Sequence, residues 1–129
     1  MPRIALRPVV LLTGVLHLAA GLFMAVTPRA FYDAVGTYPP FNGHYMRDLS
    51  TFYLALGITL IVASGRRAWQ VPLLTLTVLE YALHVVNHIL DVGDADPGWK
   101  GPVNAAWLAI VGLVLWFVLR TASRSAEPE

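Results

Sequence analysis

The chain has 129 residues, 57% hydrophobic and 13% charged, with a mean hydropathy of +0.60 and a formal net charge of +1. A soluble domain of this length carries about a quarter charged residues, so the composition argues against a water-soluble core and for a chain in a lipid bilayer. No Lys/Arg block marks a nucleic-acid surface. The absence of cysteine excludes disulfides, thiolate metal sites and cysteine nucleophiles.

The first apolar run is "PVVLLTGVLHLAAGLFMAVT", Pro8 to Thr27. Arg3 and Arg7 precede it, as in a signal peptide, but the run exceeds the roughly 7–15 residues of a signal core and no A-x-A site comes after it. It is expected to be kept as a membrane span. His17 sits near its middle, and Thr13, Gly14, Ala20 and Gly21 lie on or near the same face, where small residues let helices approach closely.

The connection to the second span, "PRAFYDAVGTYPPFNGHYMRD", is longer than a turn. Its first part, "PRAFYDAV", predicts a short helix at the membrane interface, and the Pro-Pro pair breaks the remainder. Phe31, Tyr32, Tyr38, Phe41 and Tyr45 make it aromatic. It is either a lid over something or an aromatic belt.

The second span runs from about Tyr45 to Ser64. The tight "GRRAWQ" turn leads to the third span, Val71 to Asp91. The fourth is "PVNAAWLAIVGLVLWFVLR", Pro102 to Arg120. Each is close to the roughly 20 residues needed to cross the hydrocarbon core, and backbone groups in lipid must pair within the segment, so these are helices. Pro8, Pro72 and Pro102 are expected in first turns, where no N–H is needed. The fold expected is all-α: a four-transmembrane-helix bundle over residues 1–121, with a disordered cytoplasmic tail at 122–129.

Arg3, Arg7, Arg66, Arg67, Arg120 and Arg124 fall at the N-terminus, the 2–3 loop and the C-terminus; the other connections hold only Arg29, Arg47 and Lys100. The positive-inside rule then places both termini in the cytoplasm, in a plasma (inner) membrane. Trp69 and Trp99 read as interfacial anchors.

Polar residues break the third span at "EYALHVVNHILD". At about 100° per residue, Glu80, His84, Asn87 and Asp91 share one helix face, and His88 lies just beside it. The second span opens with a similar stripe of His44, Arg47, Asp48 and Thr51. Both stripes are expected in the outer half of the bilayer, facing each other, because a charge in contact with lipid costs a few kcal/mol or more. Arg47 is then expected to pair with Asp91, Glu80 or Asp48. Asn104 and Trp107 open the fourth span at the same depth.

Intramembrane ionisable groups are functional candidates, and several chemistries fit them. His84 and His88, four apart on one face, suit a divalent metal site with Asp91 or other carboxylates. Haem between His17 and His84 or His88 is a further option, whereas E-x-x-H pairs for a di-iron site are missing. Glu80 and His84 suit catalytic proton transfer to a small apolar or quinone-like ligand, bound by His17, His44, Arg47, Asp48, Asn87, His88 and Asp91. A network that only fixes helix register is the plain alternative. Ser50 and Thr51 lack a nucleophile's context.

Three stretches, "LHLAAGLFMAVTPRAFYD", "RDLSTFYLALGITL" and "HVVNHILD", carry a resemblance to the DoxX-like family of small four-helix bacterial membrane proteins. It covers most of the chain from Leu16 to Asp91, and it implies association with quinone-linked redox chemistry. A shorter likeness is to the sterol isomerase type of membrane fold. His44-x-x-x-Asp48, Glu80 and Asn104-x-x-Trp107 resemble its H-x-x-x-E, acid and N-x-x-W sets. Here Asp48 stands where that pattern has Glu, and two further histidines are present.

Overall fold

The computed structural model describes residues 6–36 and 38–124, with side chains to residue 122. Five helices account for most of it: α1 Leu6–Val26, α2 Pro28–Ala34, α3 Gly43–Ser64, α4 Arg67–Leu90 and α5 Lys100–Arg124. No strand occurs among the described residues. The four long helices are each apolar and long enough to cross a membrane, so the chain is an integral membrane protein of four spans. Their outer faces carry large bare side chains, Leu83 at 71% and Leu113 at 63% exposure among them. Such faces suit hydrocarbon rather than water.

The expected spans are all present, with altered ends. Asn42 caps α3, its side-chain oxygen accepting from the His44 and Tyr45 N–H groups at 3.0 and 3.2 Å. These are donors that the first turn cannot satisfy within the helix, so α3 starts before Tyr45. Helix α4 starts at Arg67 rather than Val71, which moves Pro72 out of the first turn and into the helix. The Ala68 carbonyl thereby loses its i+4 donor, a loss that membrane helices tolerate. Helix α5 runs on to Arg124, so residues 122–124 are helical and not tail; the rest of the expected tail lies outside the described residues. The short helix expected from "PRAFYDAV" is α2.

α1 packs along α3, α4 packs along α5, and α3 meets α4 between the two pairs. The α1–α3 contact is closest at glycines. A Cβ on Gly57 would lie 2.5 Å from the Leu18 nitrogen, and one on Gly14 would lie 2.8 Å from the Ile61 nitrogen. Only a residue without a side chain allows this approach.

The tight packing is concentrated at one end of the bundle. Val10, Leu56, Leu60 and Ala63 form one buried cluster, and Leu74, Leu115 and Val118 form another. These come from the start of α1, the end of α3, the start of α4 and the end of α5. At the opposite end, the cap end, α2 lies across the bundle and the helices leave a cavity.

Candidate functional site

The cap-end cavity measures about 660 Å³, within the roughly 300–1,000 Å³ of small-molecule sites. Its walls differ in chemistry. α1 gives an apolar wall of Ala19, Ala20, Phe23 and Met24, while His84, Asn87 and His88 of α4, with Asp91 just past its end, give a polar wall. Tyr53 of α3 and Tyr81 of α4 line it as well, and Trp107 and Leu108 of α5 contribute another side.

The α2 segment covers the cavity with Phe31, Val35, Gly36 and Tyr38. It is held from α5. Lys100 Nζ donates to the Asp33 and Ala34 carbonyls at 2.8 and 3.2 Å, and Asn104 Nδ2 donates to the Val35 carbonyl at 3.0 Å. A lysine on the last carbonyls of a helix satisfies acceptors that have no partner in the helix. Phe31 also meets Phe23 edge to face at 5.4 Å. The aromatic connection is therefore a cap on the cavity.

A line of hydrogen bonds runs along the polar wall. His84 Nδ1 lies 3.1 Å from Glu80 Oε1, His84 Nε2 lies 3.1 Å from His88 Nε2, and His88 Nδ1 lies 3.0 Å from the Tyr38 hydroxyl. The three α4 side chains meet because residues four apart stack on one helix face. Glu80 is the deep end, with its side chain 16% exposed and its Oε2 buried without a partner among the described residues. Tyr38 is the outer end. Burial, helped by Asp91 and Asp94, holds its phenol above the usual range, so it stays a donor.

His17 is buried at 3% exposure, deeper than the cavity. Its Nδ1 lies 2.8 Å from the Thr13 carbonyl, which only accepts, so the proton sits on Nδ1. Its ring stacks on Tyr53 at 5.4 Å and meets the edge of Tyr81 at 5.9 Å. His17 Nε2 has no partner among the described residues. The two tyrosines pack against His17 while also lining the cavity, so a haem bridging His17 to His84 or His88 would have to displace them.

The second stripe does not face the first. His44, Arg47 and Asp48 are exposed. His44 Nε2 pairs with Asp48 Oδ2 at 3.3 Å in the open, and no ion pair to Arg47 occurs among the described residues. The expected Arg47 bridges to Asp91, Glu80 or Asp48 are absent for a geometric reason. Helix α3 packs through Ser50, Leu56, Gly57, Leu60, Ala63 and Ser64, and at about 100° per residue the His44–Thr51 stripe points the other way. It also forms the first turns of α3, where water can solvate the charges. Thr51 bonds back to the Asp48 carbonyl at 2.7 Å.

His84, His88 and Asp91, the set expected for a metal, are not gathered into one group. No group of three or more His, Asp or Glu side chains with metal-holding geometry occurs among the described residues. The two Nε2 atoms are bonded to each other, and Asp91 lines the cavity without joining them. The isomerase-like set is dispersed too: His44 and Asp48 are on the outside, Glu80 is bonded to His84, and Asn104 holds the cap.

Tyr53 and Tyr81 line the cavity without having been expected there, and Tyr38, expected only as part of an aromatic lid or belt, also bonds to His88. For Tyr53 and Tyr81 a signal exists, since a phenol inside an apolar span must find a polar neighbour. Nothing local marks Tyr38, whose partner is 50 residues away. No family model, curated protein or solved structure matches the chain.

Proposed function

We propose that this protein binds a small apolar, quinone-like ligand in the cap-end cavity, and that Glu80 and His84 exchange a proton with it during redox chemistry. The observation that carries this reading is the cavity's two-sided wall, with a bonded acid–imidazole pair on the polar side. A flat ring with carbonyls needs apolar contact for its faces and donors for its oxygens. Phe23, Met24 and Trp107 supply the first; Asn87 supplies a donor, and His84 or His88 donates when the ligand draws a ring nitrogen out of the line of hydrogen bonds. Glu80 beside His84 sets which imidazole nitrogen carries the proton. Reduction of such a ligand takes up protons as well as electrons. This chain handles the proton side, and a redox partner in the membrane supplies or removes the electrons. The likeness to the DoxX-like family supports the same ligand class, in the inner membrane. The arginine distribution supports both termini in the cytoplasm and the cap end outside.

The reading is tested with a short-tailed benzoquinone titrated into detergent-solubilised protein. Tryptophan fluorescence should fall saturably, and Trp107→Phe should remove most of the change. His84→Ala and Asn87→Ala should each weaken binding about tenfold, the loss of roughly one good hydrogen bond. A linear, non-saturating signal shared by all variants would mean simple partitioning into detergent and would sink the proposal. Variants that melt earlier yet bind equally well would leave the polar wall with a packing role alone.

A further inference from the structure

We propose that His88 and Tyr38 extend the Glu80–His84 pair into a proton relay connecting the cap-end surface to the buried carboxyl of Glu80. The role of the pair rests on the ligand reading under Proposed function, but the relay itself is a property of the chain alone and is tested without ligand.

The geometry restricts the protons. Each of the three contacts at 3.0–3.1 Å needs one donor and one acceptor. With Glu80 ionised, His84 Nδ1–H donates to Oε1. His84 Nε2 then carries a lone pair and accepts from His88 Nε2–H. His88 Nδ1 in turn accepts from the Tyr38 hydroxyl. Every contact is satisfied and both imidazoles are neutral.

With Glu80 protonated, every bond reverses. Oε1–H donates to His84 Nδ1, His84 Nε2–H donates to His88 Nε2, and His88 Nδ1–H donates to the Tyr38 oxygen. Every contact is again satisfied, and both imidazoles are neutral again. The two states differ by one proton.

Going from the first state to the second moves one proton across each bond. A proton from water arrives at the Tyr38 oxygen as its own proton passes to His88 Nδ1. The His88 Nε2 proton passes to His84 Nε2, and the His84 Nδ1 proton passes to Glu80 Oε1. Only Glu80 changes charge. No imidazolium has to persist in the low-dielectric interior, where an isolated charge is costly.

The surroundings fit such a path. The Glu80 side chain is largely enclosed, 16% exposed, with Oε2 buried and unpartnered among the described residues, so a route serves its exchange of protons. On the far side the tightly packed end of the bundle closes that route. At the outer end Tyr38 lies in the field of Asp91 and Asp94, acids that can collect protons from water. The other titratable groups near the relay are His17 on α1, Tyr53 on α3 and Tyr81 on α4. His17 is held by a carbonyl, and the two phenols pack on its ring rather than joining the line from Glu80 to Tyr38.

The test is time-resolved infrared spectroscopy of ligand-free protein after a pH jump, with the Glu80 carboxyl band assigned by Glu80→Gln. The proposal expects that band to respond to the jump. Tyr38→Phe and His88→Asn should slow its protonation on the order of a hundredfold, the low end for a positioned proton-transfer group. Tyr38→Phe should leave the titration midpoint nearly unchanged, because two imidazoles stand between Tyr38 and Glu80. His44→Gln, exposed on α3, should change nothing. A merely structural role would lower stability or move the midpoint and leave the rate alone. Unaltered rates in both folded variants, or a Glu80 band that does not respond to pH, would overturn the relay. Neither result would bear on whether a quinone binds.

Discussion

At the scale of single residues, position decides whether a charge matters. Spacing alone does not distinguish an enclosed acid–imidazole pair from a solvated one: Glu80 and His84 are four apart, and so are His44 and Asp48. The His84 and Glu80 side chains are 27% and 16% exposed, those of His44 and Asp48 73% and 62%. Exposed pairs contribute little, since water and salt screen them. Arg47→Gln and Asp48→Asn should therefore shift stability by no more than about 0.5 kcal/mol, measured by thermal unfolding in detergent. A loss of several times that from either variant would place this turn in a network that the geometry does not contain. The sequence displayed both stripes equally well; it did not display which faced inward, because that depends on what α3 packs against.

At the scale of elements, α1 and α3 are joined by backbone proximity at their glycines as well as by the Val10, Leu56, Leu60 and Ala63 cluster. In lipid there is no hydrophobic drive between helices, so close van der Waals contact carries their association. Gly57→Leu should force the two helices apart and destabilise the protein by about 1–3 kcal/mol, the usual cost of overpacking. Gly65→Ala makes the control. Its added Cβ would meet nothing nearer than the Val62 carbonyl oxygen at 3.7 Å, so its melting temperature should match the parent's. Equal melting for both variants would mean that the contact is dispensable. The small residues of α1 pointed to this contact in advance. The start of α4 did not, because Pro72 suggested a first turn and the helix tolerates it one turn later.

At the scale of the whole molecule, one end is packed and the other holds a capped cavity, so the direction of insertion sets which side of the membrane the cavity faces. The chain has no cysteine, which makes sidedness simple to measure. Asp94→Cys at the cap end should react with an impermeant thiol reagent on intact cells, and Arg66→Cys only after permeabilisation. The reverse pattern would place the cap end in the cytoplasm and turn the cavity inward. Four spans, their approximate limits and the polar face of α4 came from the sequence alone. Each depends on local quantities: an apolar run as long as the bilayer is thick, and a helical period that stacks every fourth residue. Tertiary structure alone decided that the α3 stripe faces out and that Tyr53 and Tyr81 separate His17 from the cavity. It also decided that Tyr38 ends the chain of hydrogen bonds begun at Glu80. Those outcomes depend on helix rotation and on contacts between distant residues, which no local pattern specifies.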